Sequence, residues 1–244
     1  MKNTLTTIPF LLLAVACSSE APTVGLSVQA VTLNQTTPSD DLVMTDDGGD
    51  MYQIQAATLR LRHIELDLPD GGNCNDFDDS LSGGAECESG TDSDKIVITG
   101  PFVIDLVTGT STPSLANVLI PAGTYKRIDF RVEDGPGDSS FAVTAGFQHE
   151  GATMTLDLDL DFNEDIRIES SAGIVVDGDS DLIAEFVVSN WLEGIEVGQC
   201  IDDDDVSISG TTVTINDSST SGSCSDIENT IKRNMKNSGQ LDHL

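Results

Sequence analysis

The chain has 244 residues and sets 42 Asp and Glu against 11 Lys and Arg, a formal net charge of −31. That balance excludes a nucleic-acid partner and electrostatic docking on anionic lipid; it favours a solvated surface or divalent cations. Aromatic residues are few, with one Trp, so no broad aromatic platform for sugars is on offer, and the length suits one substantial core with small appendages.

Residues 1–16 read as a secretory signal. Lys2 supplies an early positive charge, and Ile8–Ala16 (IPFLLLAVA) is apolar, too short to span a bilayer as a mature helix, and closed by small residues. The junction Leu13-Ala14-Val15-Ala16-Cys17 resembles a bacterial lipobox, with Ala14 where Leu is usual. Cys17 is then the lipidated first residue of the mature chain, on a short tether over 17–23. Ser18 and Ser19 stand where an Asp often retains a lipoprotein at the inner membrane, which points to the outer membrane. The anchor is acyl, so contact with the membrane is expected through the lipid alone. Ordinary cleavage near Ala16 beside an incidental Cys is the alternative.

Five cysteines are present, and lipidation of Cys17 leaves Cys74, Cys87, Cys200 and Cys224. Four cysteines allow three connectivities, among which sequence does not choose. The loop settings favour the two local pairs, Cys74–Cys87 and Cys200–Cys224, in an oxidising compartment. A four-Cys zinc site is the rival, but no two of these cysteines have the C-x2–4-C spacing.

From 24 to 198 the chain reads as a β-sandwich. Val24–Leu33 is a first strand, and Thr36–Asp50 a loop. Met51–Leu68 is a long strand with a parity conflict: Ile54 and Ala56 share one parity, Leu59 and Leu61 the other, and Ile64, Leu66 and Leu68 return to the first. Two bulges repair it, near Ala57 and near Arg62-His63. Asp70–Asp94 is an Asp/Gly/Ser-rich insertion holding the first Cys pair, with little to bury. Lys95–Ile98 and Phe102–Val107 are short strands around Gly100-Pro101, Thr108–Pro113 is a loop, and Leu115–Ile120 leads into the next strand. In that strand, Ile120–Glu133 (IPAGTYKRIDFRVE), Pro121 and Gly123 make a turn; Tyr125, Ile128, Phe130 and Val132 then alternate with charges after one phase shift. Phe141–Phe147 and Met154–Phe162 alternate cleanly. Ile166–Ile168, Ile174–Val176 and Leu182–Val188 follow. Short strands at this spacing indicate a sandwich, not βαβ units.

The segment 199–244 reads as an appendix closed by the second disulfide. Val206/Ile208 and Val213/Ile215 form a hairpin around Gly210. Ser225-Asp226-Ile227-Glu228 has the form of a capping box, and Ile227, Ile231 and Met235 give one apolar stripe. Lys232, Arg233 and Lys236 lie late, where the helix dipole favours cations, so a helix is expected from Asp226 to about Lys236.

The stretches FVIDLVTG…LANVLIPAGTYKRIDFRVE and MTLDLDLDFNEDIRI are similar to bacterial lipoprotein domains of the DUF4382 type. Those domains pair a DLL strand with a GtY strand and a later L-x-L-D-F strand. The resemblance covers roughly 25–188 and implies a prealbumin-like sandwich, loosely linked to carbohydrate-binding folds. No Asp-x-Pro follows the first strand, and the 70–94 insertion is extra. No site residue is transferred.

Candidate chemistry is sparse. Asp157, Asp159 and Asp161 share one strand face at about 6.6–6.8 Å spacing, too far apart to hold one small cation alone; a solvated face that discourages edge pairing is the simpler reading. Loops suit Ca2+ better: Asp76 and Asp78 in one, Asp177, Asp179 and Asp181 in another, with Asp202–Asp205 a third, all offering oxygen ligands. Neither of the first two matches an EF-hand loop, and Asp-rich turns without metal are the alternative. His63 and His149 are the histidines inside the domain, and neither G-x-S-x-G nor H-E-x-x-H occurs. Trp191 could stack on a sugar or simply pack in the core.

The expectation is an all-β, antiparallel sandwich with a disulfide-stapled insertion and a short C-terminal helix. Its leading function is that of a non-enzymatic cell-envelope lipoprotein, a surface binding or structural module without cofactor. A calcium-dependent or carbohydrate-binding adhesion module is the alternative, with a glycan or envelope protein as partner. A hydrolase without a recognisable motif comes third.

Overall fold

A computed structural model of the chain describes residues 22–32, 42–77, 81–90, 93–135, 139–161, 163–178 and 180–243. Its strands are β1 (Thr23–Val24), β2 (Leu26–Val31), β3 (Val43–Thr45), β4 (Met51–Asp67), β5 (Ala85–Glu88), β6 (Lys95–Asp105), β7 (Thr110–Thr112), β8 (Ile120–Pro121), β9 (Gly123–Val132), β10 (Phe141–His149), β11 (Ala152–Leu160), β12 (Asp165–Val176) and β13 (Leu182–Val187). Helix α1 (Val197–Asp202), β14 (Ser207–Ser209), β15 (Thr212–Asn216), helix α2 (Ile227–Asn237) and β16 (Gly239–His243) complete it. One large sheet runs β12-β9-β4-β10-β11-β15-β14, with β3, β5, β6 and β7 branching from it; a smaller sheet, β16-β13-β2, lies across its buried face. Between them Phe130 meets Phe186 at 6.2 Å, and Phe141 meets Trp191 edge-on at 5.2 Å. This is the all-β sandwich expected from the alternation. Most pairs are antiparallel; β2–β13 and β11–β15 are parallel.

β4 is the strand on which the large sheet turns. On one side it pairs with β3 and then β6; on the other with β10 and then β9. Its buried residues change parity twice, as the sequence requires. Tyr52 and Ile54 are buried, then Ala57, Leu59 and Leu61, then Ile64 and Leu66. The register against β10 jumps between Ala56 and Ile54, and the registers against β6 and β9 jump between Leu61 and His63. Each bulge inserts one residue and returns the next apolar set to the core. Gly100 faces the second bulge: a Cβ there would lie 2.7 Å from the Arg62 carbonyl oxygen and 2.8 Å from that of Leu61. Gly123, at φ 155°, opens β9, and a Cβ on it would meet Pro69 at 2.5 Å. The glycine of the GTY turn therefore lets Pro69, just before the 70–94 insertion, pack on the sheet. Tyr125 closes the turn, its hydroxyl donating to the Pro121 carbonyl at 2.5 Å.

Several expected boundaries move. The segment read as a loop before β4 holds β3; of it, 36–41 lies outside the described residues. The 70–94 insertion is not purely an excursion, since β5 hydrogen-bonds to β6 and buries Ala85. The two short strands around Gly100-Pro101 are one strand, β6, and the loop after it holds β7. Residues 166–168 and 174–176 are likewise one bulged strand, β12. The C-terminal segment is no appendix: β15 extends the large sheet beside β11, and β16 extends the small one beside β13. β11 is therefore not an edge, and its aspartates do not guard one. Helix α2 runs Ile227–Asn237 with Ile227, Ile231 and Met235 buried, but the capping box does not form. Asp226 accepts from the Asn229 side chain and Glu228 from the Thr220 hydroxyl instead. α1 and β16 lie outside the expected elements. Both local disulfides are present, Cys74–Cys87 with Cα atoms 5.5 Å apart and Cys200–Cys224 with Cα atoms 6.0 Å apart. Among the described residues no helix is long and apolar enough to cross a membrane.

Candidate functional site

The wet face of β6, β4, β9 and β12 gathers much of the positive charge of an acidic chain. Alternation fixes who points outward: Glu65 and Asp67 on β4, Arg127, Asp129 and Arg131 on β9, Asp165, Arg167 and Glu169 on β12. Registration then sets opposite signs across the strands, Arg131 by Asp165, Asp129 by Arg167 and Arg127 by Glu169. Asp129 is the centre. It is 9% exposed, and it accepts from Arg167 Nε at 2.7 Å, with Arg127 Nε at 3.1 Å but not aligned for a hydrogen bond. Its hydrogen bond, then its charge, holds the Arg167 guanidinium above its ordinary value. Arg127 also binds Asp67 at 2.7 Å, Lys95 binds Glu65 at 2.5 Å, and His63 Nε2 lies 3.3 Å from Glu65. Arg131 donates to Asn163 at 2.6 Å.

These side chains border a groove of 370 Å³, lined by His63, Glu65, Lys95, Asp129, Arg131, Asp165 and Arg167. Such a size falls within the range of small-ligand sites. Planar guanidinium and carboxylate groups, each held by a neighbour, present donors and acceptors in fixed directions. That suits a polyhydroxylated or zwitterionic ligand. Alternating signs are visible in the sequence, R-x-D-x-R in 127–131 and D-x-R-x-E in 165–169, but the fold sets the antiparallel register that pairs them.

Most of those acids named as candidate metal ligands that lie among the described residues accept hydrogen bonds from their neighbours. Asp76 accepts from the Asn73 amide nitrogens, backbone at 3.3 Å and side chain at 2.7 Å. Asp181 accepts from the Gly25 backbone at 2.8 Å, and Asp177 meets the Ser180 hydroxyl at 3.2 Å. Asp78 and Asp179 lie outside the described residues. In the 202–205 run, Asp202 meets His149 Nε2 at 3.1 Å, Asp203 accepts from Gln199 at 2.9 Å, and Asp205 accepts from Ser223 backbone and hydroxyl, both at 2.8 Å. Among the described residues no group of three His, Cys, Asp or Glu side chains is arranged around one point. Asp161 is pushed above its ordinary value by partial burial first, then by Asp134, Asp217 and Asp159, with Lys232 opposing.

Two further features were illegible. Asp46, 5% exposed, accepts from the Asp50 backbone, the Tyr52 hydroxyl and the Val197 backbone at 2.9, 2.9 and 3.0 Å. Burial, then the charge of Asp46, raises the Tyr52 phenol far above its usual range. Glu185, 3% exposed in mid-β13, accepts from Gln29 at 3.1 Å and Gln240 at 2.8 Å on the flanking strands. Trp191 is fully buried and donates to the Ser238 hydroxyl at 3.0 Å. It offers no face to a ligand, so the sugar-stacking reading gives way to core packing. Cys17 lies outside the described residues.

No family model matches the chain, and no curated protein matches it. Among solved structures, MbnP from Methylosinus trichosporium is similar over 70% of this chain and 76% of that one, at 10% identity and a TM-score of 0.36. A likeness of that size bears on neither site nor function.

Proposed function

We propose that this chain is a non-enzymatic lipoprotein of the bacterial cell envelope, anchored at the outer membrane through Cys17, whose sandwich acts as a recognition module. The groove bounded by His63, Arg131 and Arg167 carries this reading, because its polar groups are fixed in place before any ligand arrives. The two local disulfides support an oxidising, exported setting. The ligand class that fits alternating guanidinium and carboxylate groups is an envelope glycan or another polyhydroxylated molecule. Binding is measured by glycan-array and calorimetric screening of the parent and of an R131A/R167A variant. The expected result is a saccharide bound by the parent and lost in the variant, with the melting transition kept. Saccharide binding that is unchanged by the double substitution, or no binding to any envelope saccharide, overturns the groove as the site.

A second reading has its own observation. Asp67, Asp70 and Asp94, with Thr124 and Lys126, border a cavity of 730 Å³ at the root of the insertion. The three carboxylates do not converge on one point, so a calcium ion held here in a calcium-dependent adhesion module would need backbone or water oxygens to complete its shell.

A further inference from the structure

We propose that the face formed by β1, the start of β2, β7 and residues 114–119 rests on the surface of the membrane that holds the anchor. The inference rests on lipidation of Cys17, proposed above.

Thr23 opens β1 six residues after Cys17. A chain reaches at most about 3.3–3.6 Å per residue, so β1 stands within roughly 20 Å of the acylated residue. β1 is not free to swing. It pairs with β8, Thr23 opposite Pro121 and Val24 opposite Ile120, and the Ala122 amide donates to the Pro22 carbonyl at 2.9 Å. The body of the protein is therefore held by this end.

The surface here differs from the charged groove. Its cavity, 460 Å³, is walled by Ser, Thr, Gly, Ala, Val and Leu residues; the one charge among its described lining residues is Asp181, turned onto the Gly25 amide at 2.8 Å. Leu119 stands 36% exposed on it. A face with hydroxyls, an exposed leucine and a single carboxylate fits a zwitterionic headgroup layer, which the overall charge of the chain would not approach by electrostatics. For β1 and β8, β4 fixes the opposite pole: its Asp67 end leads to Pro69, packed on Gly123 beside β8, whereas Met51, 69% exposed, lies sixteen residues away, roughly 50 Å of strand. β7 lies, through β6, level with Thr58 between the two ends of β4.

The test uses full-length protein expressed in membranes and reconstituted in phosphatidylcholine vesicles with plain or brominated acyl chains. Leu119→Trp places a fluorophore on the proposed face, Thr110→Trp a second one on β7, and Met51→Trp one at the far pole. Trp191, buried in all of them, gives a constant background. The added rings at 119 and 110 are expected to lose most of their emission to brominated lipid, and the ring at 51 none. Equal quenching at all three positions, or none, in a protein whose mass shows a diacylated Cys17 overturns the docking face alone. An added ring at 119 shielded from iodide yet untouched by brominated lipid means a protein or a second copy covers the face, and also overturns it. A mass showing an unmodified Cys17 overturns the anchor and the docking face together.

Discussion

Asp46 accepts from three donors while almost wholly shut off from water, and its residue-scale consequence is measurable. Replacing it by Ala orphans the Val197 amide, the Asp50 amide and the Tyr52 hydroxyl at once. Hydrogen bonds to a charged group are worth about 1.5–3 kcal/mol each, and a buried donor left unmade costs roughly 1–3 kcal/mol. Asp46→Ala should therefore lower stability by at least about 3 kcal/mol, and Tyr52→Phe, which leaves two donors in place, by about 1–2 kcal/mol. Urea unfolding of the two variants checks the ranking; an Asp46→Ala protein as stable as the parent would mean that these three hydrogen bonds hold nothing together. The Asp129–Arg167 pair is a different case. Asp129 is nearly buried but the Arg167 side chain is 57% exposed, so water screens the attraction. A double-mutant cycle with Asp129→Ala and Arg167→Ala should give only a small coupling, one that shrinks further as salt is added.

At the scale of elements, one disulfide closes the 70–94 insertion and the other ties α1 to the segment before α2. Cys74–Cys87 closes a separation of 13 residues and Cys200–Cys224 one of 24. Chain entropy assigns each closure about 3 kcal/mol, slightly more to the longer. Cys200→Ser/Cys224→Ser should cost more than Cys74→Ser/Cys87→Ser for a second reason: Cys200 lies in α1, and Cys224 is buried just before α2, so both helices lose their tie. Calorimetric melting of the two double variants compares them, and equal losses would mean that closure alone matters. What was legible in the sequence follows the same division. β4, β9, β10 and β11 were readable because long alternation leaves one face for the core, and even the two bulges of β4 were fixed by parity. β3, β5, β7 and β16 were not, because three to five residues cannot establish a period and their stability comes from a neighbouring strand. The helix stripe of Ile227, Ile231 and Met235 was readable, whereas its cap was not, since Asp226 and Glu228 found side-chain partners closer at hand. The ion-pair face was readable only as alternation; its pairing depended on a register between strands more than thirty residues apart.

For the whole molecule, the surplus of 31 negative charges sets the response to ions. Most acids lie at the surface, where repulsion acts over a Debye length of about 10 Å at 0.1 M salt. Salt weakens the exposed ion pairs as well, but those are worth little individually, and the excess acids outnumber them. Adding sodium chloride should therefore raise the melting midpoint; a gain of about 1 kcal/mol corresponds to roughly 2–4 °C for a chain of this size. A midpoint that falls with salt would place the ion-pair face above net repulsion. The same melt separates screening from binding when Ca2+ and Mg2+ are compared at fixed ionic strength. Screening treats the two alike. A Ca2+ site present only in the folded chain adds RT ln(1 + [Ca2+]/Kd), about 2.7 kcal/mol at a hundredfold excess over Kd. A midpoint several degrees higher in Ca2+ than in Mg2+, lost in an Asp70→Asn/Asp94→Asn variant, would therefore locate the cation at the root of the insertion and favour the adhesion reading. Equal midpoints would leave these carboxylates as acceptors for backbone amides, the role Asp94 already has toward the Cys74 amide at 2.9 Å.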